Sequence, residues 1–205
     1  MWRSRSDPLT RARAIASAAA VALGVAAAAT AAVVLLGGGS SPMTALITPP
    51  TLAEGTYRLT AGTAELEKQG ISIQSGLPKG AVSVLARYTR TDDPAVTLSL
   101  SGAYGRIGAP ATVLDGMLNG FESGPGSPEV TTPRRNFTPV GGPSLSCEVV
   151  RLDGRTYAPA CAWAEKTDAA LLISFDPKRT TPGAADASAF AQLAADIYRS
   201  VRKPD

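Results

Sequence analysis

The residues with the clearest chemistry are two cysteines, Cys147 and Cys161, on either side of Asp153-Gly154-Arg155. Asp-Gly between two apolar runs is a strong hairpin signal. A hairpin centred on Gly154 pairs residues equidistant from it, and both cysteines lie seven positions away. That register sets them directly opposite each other, where cross-strand Cβ separations of ~4.5–5.5 Å are only slightly wider than a disulfide needs. Redox-active pairs sit two residues apart beside a helix N-terminus, and these do not. The predicted chemistry is one structural disulfide.

Everything else the sequence offers for catalysis is thin. The chain of 205 residues has no histidine. This removes Ser-His-Asp and Cys-His nucleophile sites, histidine metal sites and the usual near-neutral proton switch. Two cysteines cannot build a four-cysteine zinc site. There is no Walker loop, dinucleotide fingerprint or metal cluster. An enzyme would have to work with carboxylates alone, as glycosidases do. Asp92-Asp93, Asp115, Glu148 and Glu165 are the candidates, and each has an ordinary turn or surface explanation. The sequence therefore predicts no catalytic residue, no cofactor and no metal ligand.

Arg134 and Arg135 beside Phe137 form a candidate contact surface, in a Pro- and Gly-rich stretch (122–143) that reads as a loop; a sheet face left open by the helices is the alternative. Asn136-Phe137-Thr138 there also matches a glycosylation sequon. The two arginines have no wider basic field around them. The net charge of +3 is accounted for by Arg3, Arg5, Arg11, Arg13 and Asp7, so residues 14–205 are neutral. Nucleic acid is not an expected partner.

Those residues must be placed by elements, and the first of these is apolar. Ala14–Leu36 is a run of 23 residues without a charge, and as a helix it would span ~35 Å, enough for a ~30 Å hydrocarbon core. The arginines before it predict a cytoplasmic N-terminus. The expected organisation is a basic cytoplasmic tail (1–13), a single transmembrane helix in the lipid bilayer (14–36), a flexible linker (37–51) and one extracytoplasmic domain (52–203). The alternative is a signal peptide and a secreted product. The run exceeds the usual 7–15-residue signal core, and its most apolar part follows the best cleavage site, Ala29-Thr30-Ala31.

Within the domain, a short strand is expected near 56–59, and 63–76 is ambiguous. Alternating apolar residues at Val82–Tyr88 and Val96–Leu100 predict an antiparallel hairpin. Pro110 opens a helix with Val113, Leu114, Met117, Leu118 and Phe121 on one stripe. Three strands follow, at 145–152, 158–164 and 169–175, with Pro159 implying a bulge or irregular start. Trp163 falls on the face of Cys161 as a core residue. Thr181 and Pro182 are expected to start a final helix carrying Phe190, Leu193, Ala194, Ile197 and Val201 on its buried side. The fold class is α+β: a mostly antiparallel sheet with two principal helices.

Gly141-Gly142, Cys147, the segment Cys161-Ala162-Trp163-Ala164-Glu165-Lys166-Thr167 and the final amphipathic helix together resemble a family of actinobacterial membrane-anchored extracytoplasmic proteins. The likeness is close over 141–203 and loose over 52–202. It implies the anchor, linker and exported domain, and no activity, cofactor or substrate. The element order is also similar to PsbP-like exported folds, a likeness of topology alone. The expected function is a non-enzymatic binding or accessory role in the cell envelope, with an envelope protein as partner. A small-ligand or lipid carrier is the alternative, and a carboxylate hydrolase the third reading.

Overall fold

The computed structural model describes residues 44–71, 78–123 and 126–204. The basic tail, the apolar run 14–36 and residues 37–43 of the expected linker lie outside them, as do 72–77. Among the described residues no helix is long and apolar enough to cross a membrane.

The domain is α+β. Eight antiparallel strands form one sheet in the order β2-β3-β4-β5-β9-β8-β7-β6, and β1 pairs separately with β10. The strands are β1 (Thr44–Leu46), β2 (Thr51–Leu52), β3 (Tyr57–Ala61), β4 (Val82–Arg90), β5 (Thr97–Tyr104), β6 (Glu129–Phe137), β7 (Leu145–Leu152), β8 (Thr156–Ala164), β9 (Asp168–Phe175) and β10 (Arg202–Pro204). The helices are α1 (Thr63–Lys68), α2 (Pro110–Glu122) and α3 (Ala187–Val201). The expected β4–β5 hairpin forms in unbroken register from Val82↔Tyr104 to Thr89↔Thr97.

The two larger helices lie on opposite faces. Cβ atoms alternate along a strand, so each strand presents one set of side chains to each helix. Cys147, Cys161, Trp163, Ala170 and Leu172 join Phe190, Ala191, Ala194, Ile197 and Val201 of α3 in one cluster. Val150, Ala160, Ala162, Leu171 and Ile173 meet Leu118 and Phe121 of α2 in another. Strands β7, β8 and β9 are thus buried on both faces, which explains their near-continuous apolar sequence.

Cys147 and Cys161 are paired and bonded, with Cα atoms 4.1 Å apart. Tyr157 N donates to Arg179 O, away from β7. By alternation the nitrogens of Pro159 and Cys161 face the same way. The cysteines therefore occupy a non-hydrogen-bonded pair, the closer of the two antiparallel site types. The same alternation accommodates Pro159. Its missing N–H points toward β9, whose pairing begins only at Ala160, so the ladder to β7 runs through Pro159↔Val149 without a bulge.

Three expectations are corrected. Ordered structure begins inside the segment expected as flexible linker: Leu46 is buried, Tyr88 Oη donates to Pro49 O (3.1 Å) and Leu59 N to Pro50 O (2.9 Å). Pro49-Pro50 marks an extended segment held by the sheet rather than a free spacer. Residues 129–137 are a strand, not a loop. β6 sits at the sheet edge, where Pro133 costs no ladder bond, and it shifts register twice on either side of Thr132. Finally, Pro182–Ala184 is a separate 3-10 turn, and α3 starts at Ala187. Thr181 makes no side-chain cap, whereas Asp186 Oδ1 accepts from Ser188 N (2.8 Å) and Ala189 N (3.0 Å), a cap worth ~1 kcal/mol.

The glycine pair before β7 has a packing role. Gly141 has φ +70° in a turn closed by Gly142 N to Pro139 O (3.1 Å). A Cβ on Gly142 would stand 2.6 Å from Ala195 Cβ, so this chain crosses α3 at backbone contact.

The disulfide joins residues 14 apart, a loop that should contribute ~3 kcal/mol by chain entropy. Replacing Cys147 and Cys161 together by Ser should lower stability by about that amount in urea unfolding, with the slope increased because the unfolded chain opens further. A loss below ~1 kcal/mol would show that strand pairing alone holds the hairpin.

Candidate functional site

The only acids buried among the described residues are Glu148 and Asp168, and they lie on opposite faces of the sheet. Each is the centre of a polar cluster built from distant parts of the chain.

Glu148 sits in mid-β7 opposite Ala160, on the face that α2 covers, with no exposed surface. Arg134 reaches it from the edge strand. Its Nε donates to Glu148 Oε2 (3.3 Å) and to Glu122 Oε1 (2.8 Å), and its Nη2 donates to Asn119 Oδ1 (2.8 Å) and to Glu122. Asn119 and Glu122 are three apart on α2, hence on one flank of the helix. The register shifts in β6 place Arg134 opposite neither Val149 nor Cys147 but over Glu148, a familiar use of bulges to re-aim a side chain.

This environment changes the acid. Burial first, then the hydrogen bond and charge of Glu122, push the Glu148 carboxyl up to about 7, and Arg134 opposes them only in part. Glu148 Oε1 is buried and receives no donor. A carboxylate there would leave that oxygen unpaired. A neutral carboxyl places no charge on that oxygen.

On the other face, Trp163 Nε1 donates to Asp168 Oδ1 (2.9 Å), and Arg202 Nε and Thr167 Oγ1 donate to Asp168 Oδ2 (3.0 and 3.3 Å). Arg202 lies 4.4 Å over the Tyr198 ring, which meets Trp163 edge-on at 5.4 Å. Asp168 thereby ties the end of α3 to the start of β9. Trp163 is core, as expected. Arg202 does not simply sit at the helix terminus: it satisfies a buried carboxylate. Arg199, in the last turn of α3, donates from Nη1 to Gly141 O (3.2 Å).

The residues singled out from sequence are dispersed. Arg134 belongs to the Glu148 cluster, whereas Arg135 pairs with Cys147 on the opposite side of β6 and is exposed. Phe137 packs against the α3 core. They do not form one surface. Asp92 and Asp93 lie in the β4–β5 turn, where Lys178 (2.6 Å) and the Ala95 N–H hold Asp93 below the usual carboxylate range. Asp115 is exposed on α2, and Glu165 lies in the β8–β9 turn. Only Glu148 meets a second acid, Glu122, which sequence reasoning missed. The available signal was a lone charge in the middle of an otherwise apolar strand, which must find a partner.

The Glu148 cluster does not offer glycosidase geometry. Such enzymes hold two carboxyls ~5–9.5 Å apart with room for sugar and water between them. Here one guanidinium donates to both carboxyls, and Glu148 is sealed. The cluster is a stability element with a definite pH signature. Between about 4.5 and about 7 the folded chain keeps a proton that the unfolded chain releases, so stability falls as pH rises through that window and levels above it. The wild type should lose on the order of 2–3 kcal/mol between pH 4.5 and 8 from this group. Glu148→Gln should remove this part of the slope, and parallel slopes for the two chains in urea titrations would refute a neutral Glu148.

No protein-family model, curated protein or solved structure matches the chain.

Proposed function

We propose that this chain is a membrane-tethered, extracytoplasmic binding or accessory domain of the cell envelope and not an enzyme. The observation that carries this reading is the buried Cys147–Cys161 disulfide in a domain with no free cysteine among the described residues. Structural disulfides persist in oxidising compartments. The 23-residue uncharged run with its basic flank supplies a tether in the orientation that puts residues 37 onward outside. The likeness in element order to PsbP-like exported folds belongs to this reading and brings no activity with it. A non-catalytic role is favoured because both buried acids are engaged in structural clusters that join strands to helices.

A binding role needs exposed surface, and the sheet edge supplies it. β6 presents Arg135 to solvent, and Val140 stands in the adjoining turn at 96 % exposure. Exchange of the whole 122–143 segment would strip β7 of its neighbour, so point probes are the informative variants. In intact cells, an impermeant protease should digest the domain while a tag placed before Arg3 stays protected. A photo-crosslinker at Arg135 or Val140 should give a discrete protein adduct that one at Arg155 does not. A domain shielded from the protease would refute export, and the absence of adducts from both positions would refute a protein partner at this edge.

A further inference from the structure

We propose that the end of the sheet where the tether joins docks on an anionic lipid surface, a role that rests on the anchor reading of residues 14–36. The strands converge there in a way that can be traced contact by contact. β1 pairs with β10 through Thr44↔Pro204 and Ala45↔Lys203. Leu46 lies over β5, its Cδ1 3.0 Å from where a Cβ on Gly102 would stand. Gly105 N donates to Thr167 O (2.8 Å) and Ile107 N to Lys166 O (3.1 Å), which joins the β8–β9 turn to the segment after β5. Gly80 O comes within 3.2 Å of the Cβ position of Gly105.

These contacts bring Lys79, Arg106, Lys166 and Lys203 to one end, and all four are exposed. Val82, paired with Tyr104 at the same end, is 48 % exposed. Of the described acids nearest these bases, Asp168 is buried against Arg202, Glu165 is half-buried in the β8–β9 turn, and Glu65 and Glu67 are exposed on α1 beside Lys68. Asp205 follows in sequence, outside the described residues. The opposite end has no such excess: Asp92, Asp93, Asp153 and Asp176 in its turns and strand ends are matched by Arg90, Arg155, Lys178 and Arg179.

The tether decides which surface the basic end meets. Residues 37–43 join the apolar run to Thr44, and seven residues reach at most ~25 Å and average ~15 Å as a Gly/Ser-rich coil. Only the end that receives Thr44 is held this close to the bilayer. Attraction of bases to anionic headgroups acts within a Debye length of ~10 Å, a distance the tether lets this end enter repeatedly. A soluble polyanion would gain nothing from the tether. A bilayer gains the high effective concentration that a short linker confers.

The test uses the full chain reconstituted, domain outward, in vesicles of phosphatidylcholine alone or mixed with phosphatidylglycerol. Flotation from the phosphatidylcholine vesicles after an alkaline wash reads the anchor separately. Per-lysine acylation by an uncharged amine reagent, followed by mass spectrometry, reads docking. Lys79, Lys166 and Lys203 should label about fivefold more slowly on the anionic vesicles at low salt, with the difference closing near ~1 M salt. Lys178, at the far end, should label alike on both. Arg106→Glu combined with Lys166→Glu should restore labelling of Lys79 and Lys203 and leave flotation unchanged. Equal labelling of the floated chain on both vesicles, or equal slowing of Lys178, overturns the docking. Loss of flotation overturns the anchor and the docking that depends on it.

Discussion

Strand β8 is enclosed on all sides, and the other elements are placed by what that enclosure demands. Both its neighbours are strands and both its faces carry a helix, so its backbone groups must be paired and its side chains must fit between two layers. Alanines at 158, 160 and 162 let α2 approach closely, while Cys161 and Trp163 fill the α3 side. The disulfide then fastens β8 to β7 at a close antiparallel pair. With β8 immobile, β7 and β9 have fixed registers, and the two helices have fixed faces to cover.

The buried acids follow from the same constraint. A sheet covered on both faces leaves little polar surface inside, so each charge that enters must bring a partner from elsewhere in the chain. Asp168 takes its partners from the turn beside it and from the end of α3. This links the last residues of the chain to the start of β9, where β1 also arrives. Glu148 takes its cation from the sheet edge and its second acid from α2. Burial and like charge push that carboxyl up to about 7, so this group favours the folded state under mildly acidic conditions. Both clusters join a strand to a helix, one on each face, and together they orient α2 and α3 relative to the sheet.

Much of this was legible in the residues. The symmetry of Cys147 and Cys161 about Gly154 carried the hairpin register, because an antiparallel turn leaves no freedom once its centre is known. Alternation marked β4 and β5, and Pro110 with the stripe after it marked α2. The edge strand β6 was illegible because Pro133 lies within it and prolines and glycines crowd its flanks, all of them loop signals locally. Pro133 is tolerated because one side of the strand has no neighbour. The start of α3 was misplaced because Thr181-Pro182 and Asp186 are both respectable helix openings, and only the direction of the chain on leaving β9 selects between them. Glu122 went unnoticed because a glutamate at the end of a helix is ordinary until the sheet places another acid beneath it.

The sequence by itself determined the periodic and the symmetric features: the apolar run at 14–36, the hairpins, the amphipathic stripes and the oxidised pair. Each depends on residues close in the chain, whose geometry is dictated by turn and helix repeat. Only the tertiary structure decided the pairing of β1 with β10, the position of β6 at the edge, the partners of Glu148 and Asp168, and the gathering of Lys79, Arg106, Lys166 and Lys203 at one end. Those are contacts between segments tens of residues apart. Burial of both sheet faces brings them together, and no local spacing encodes that.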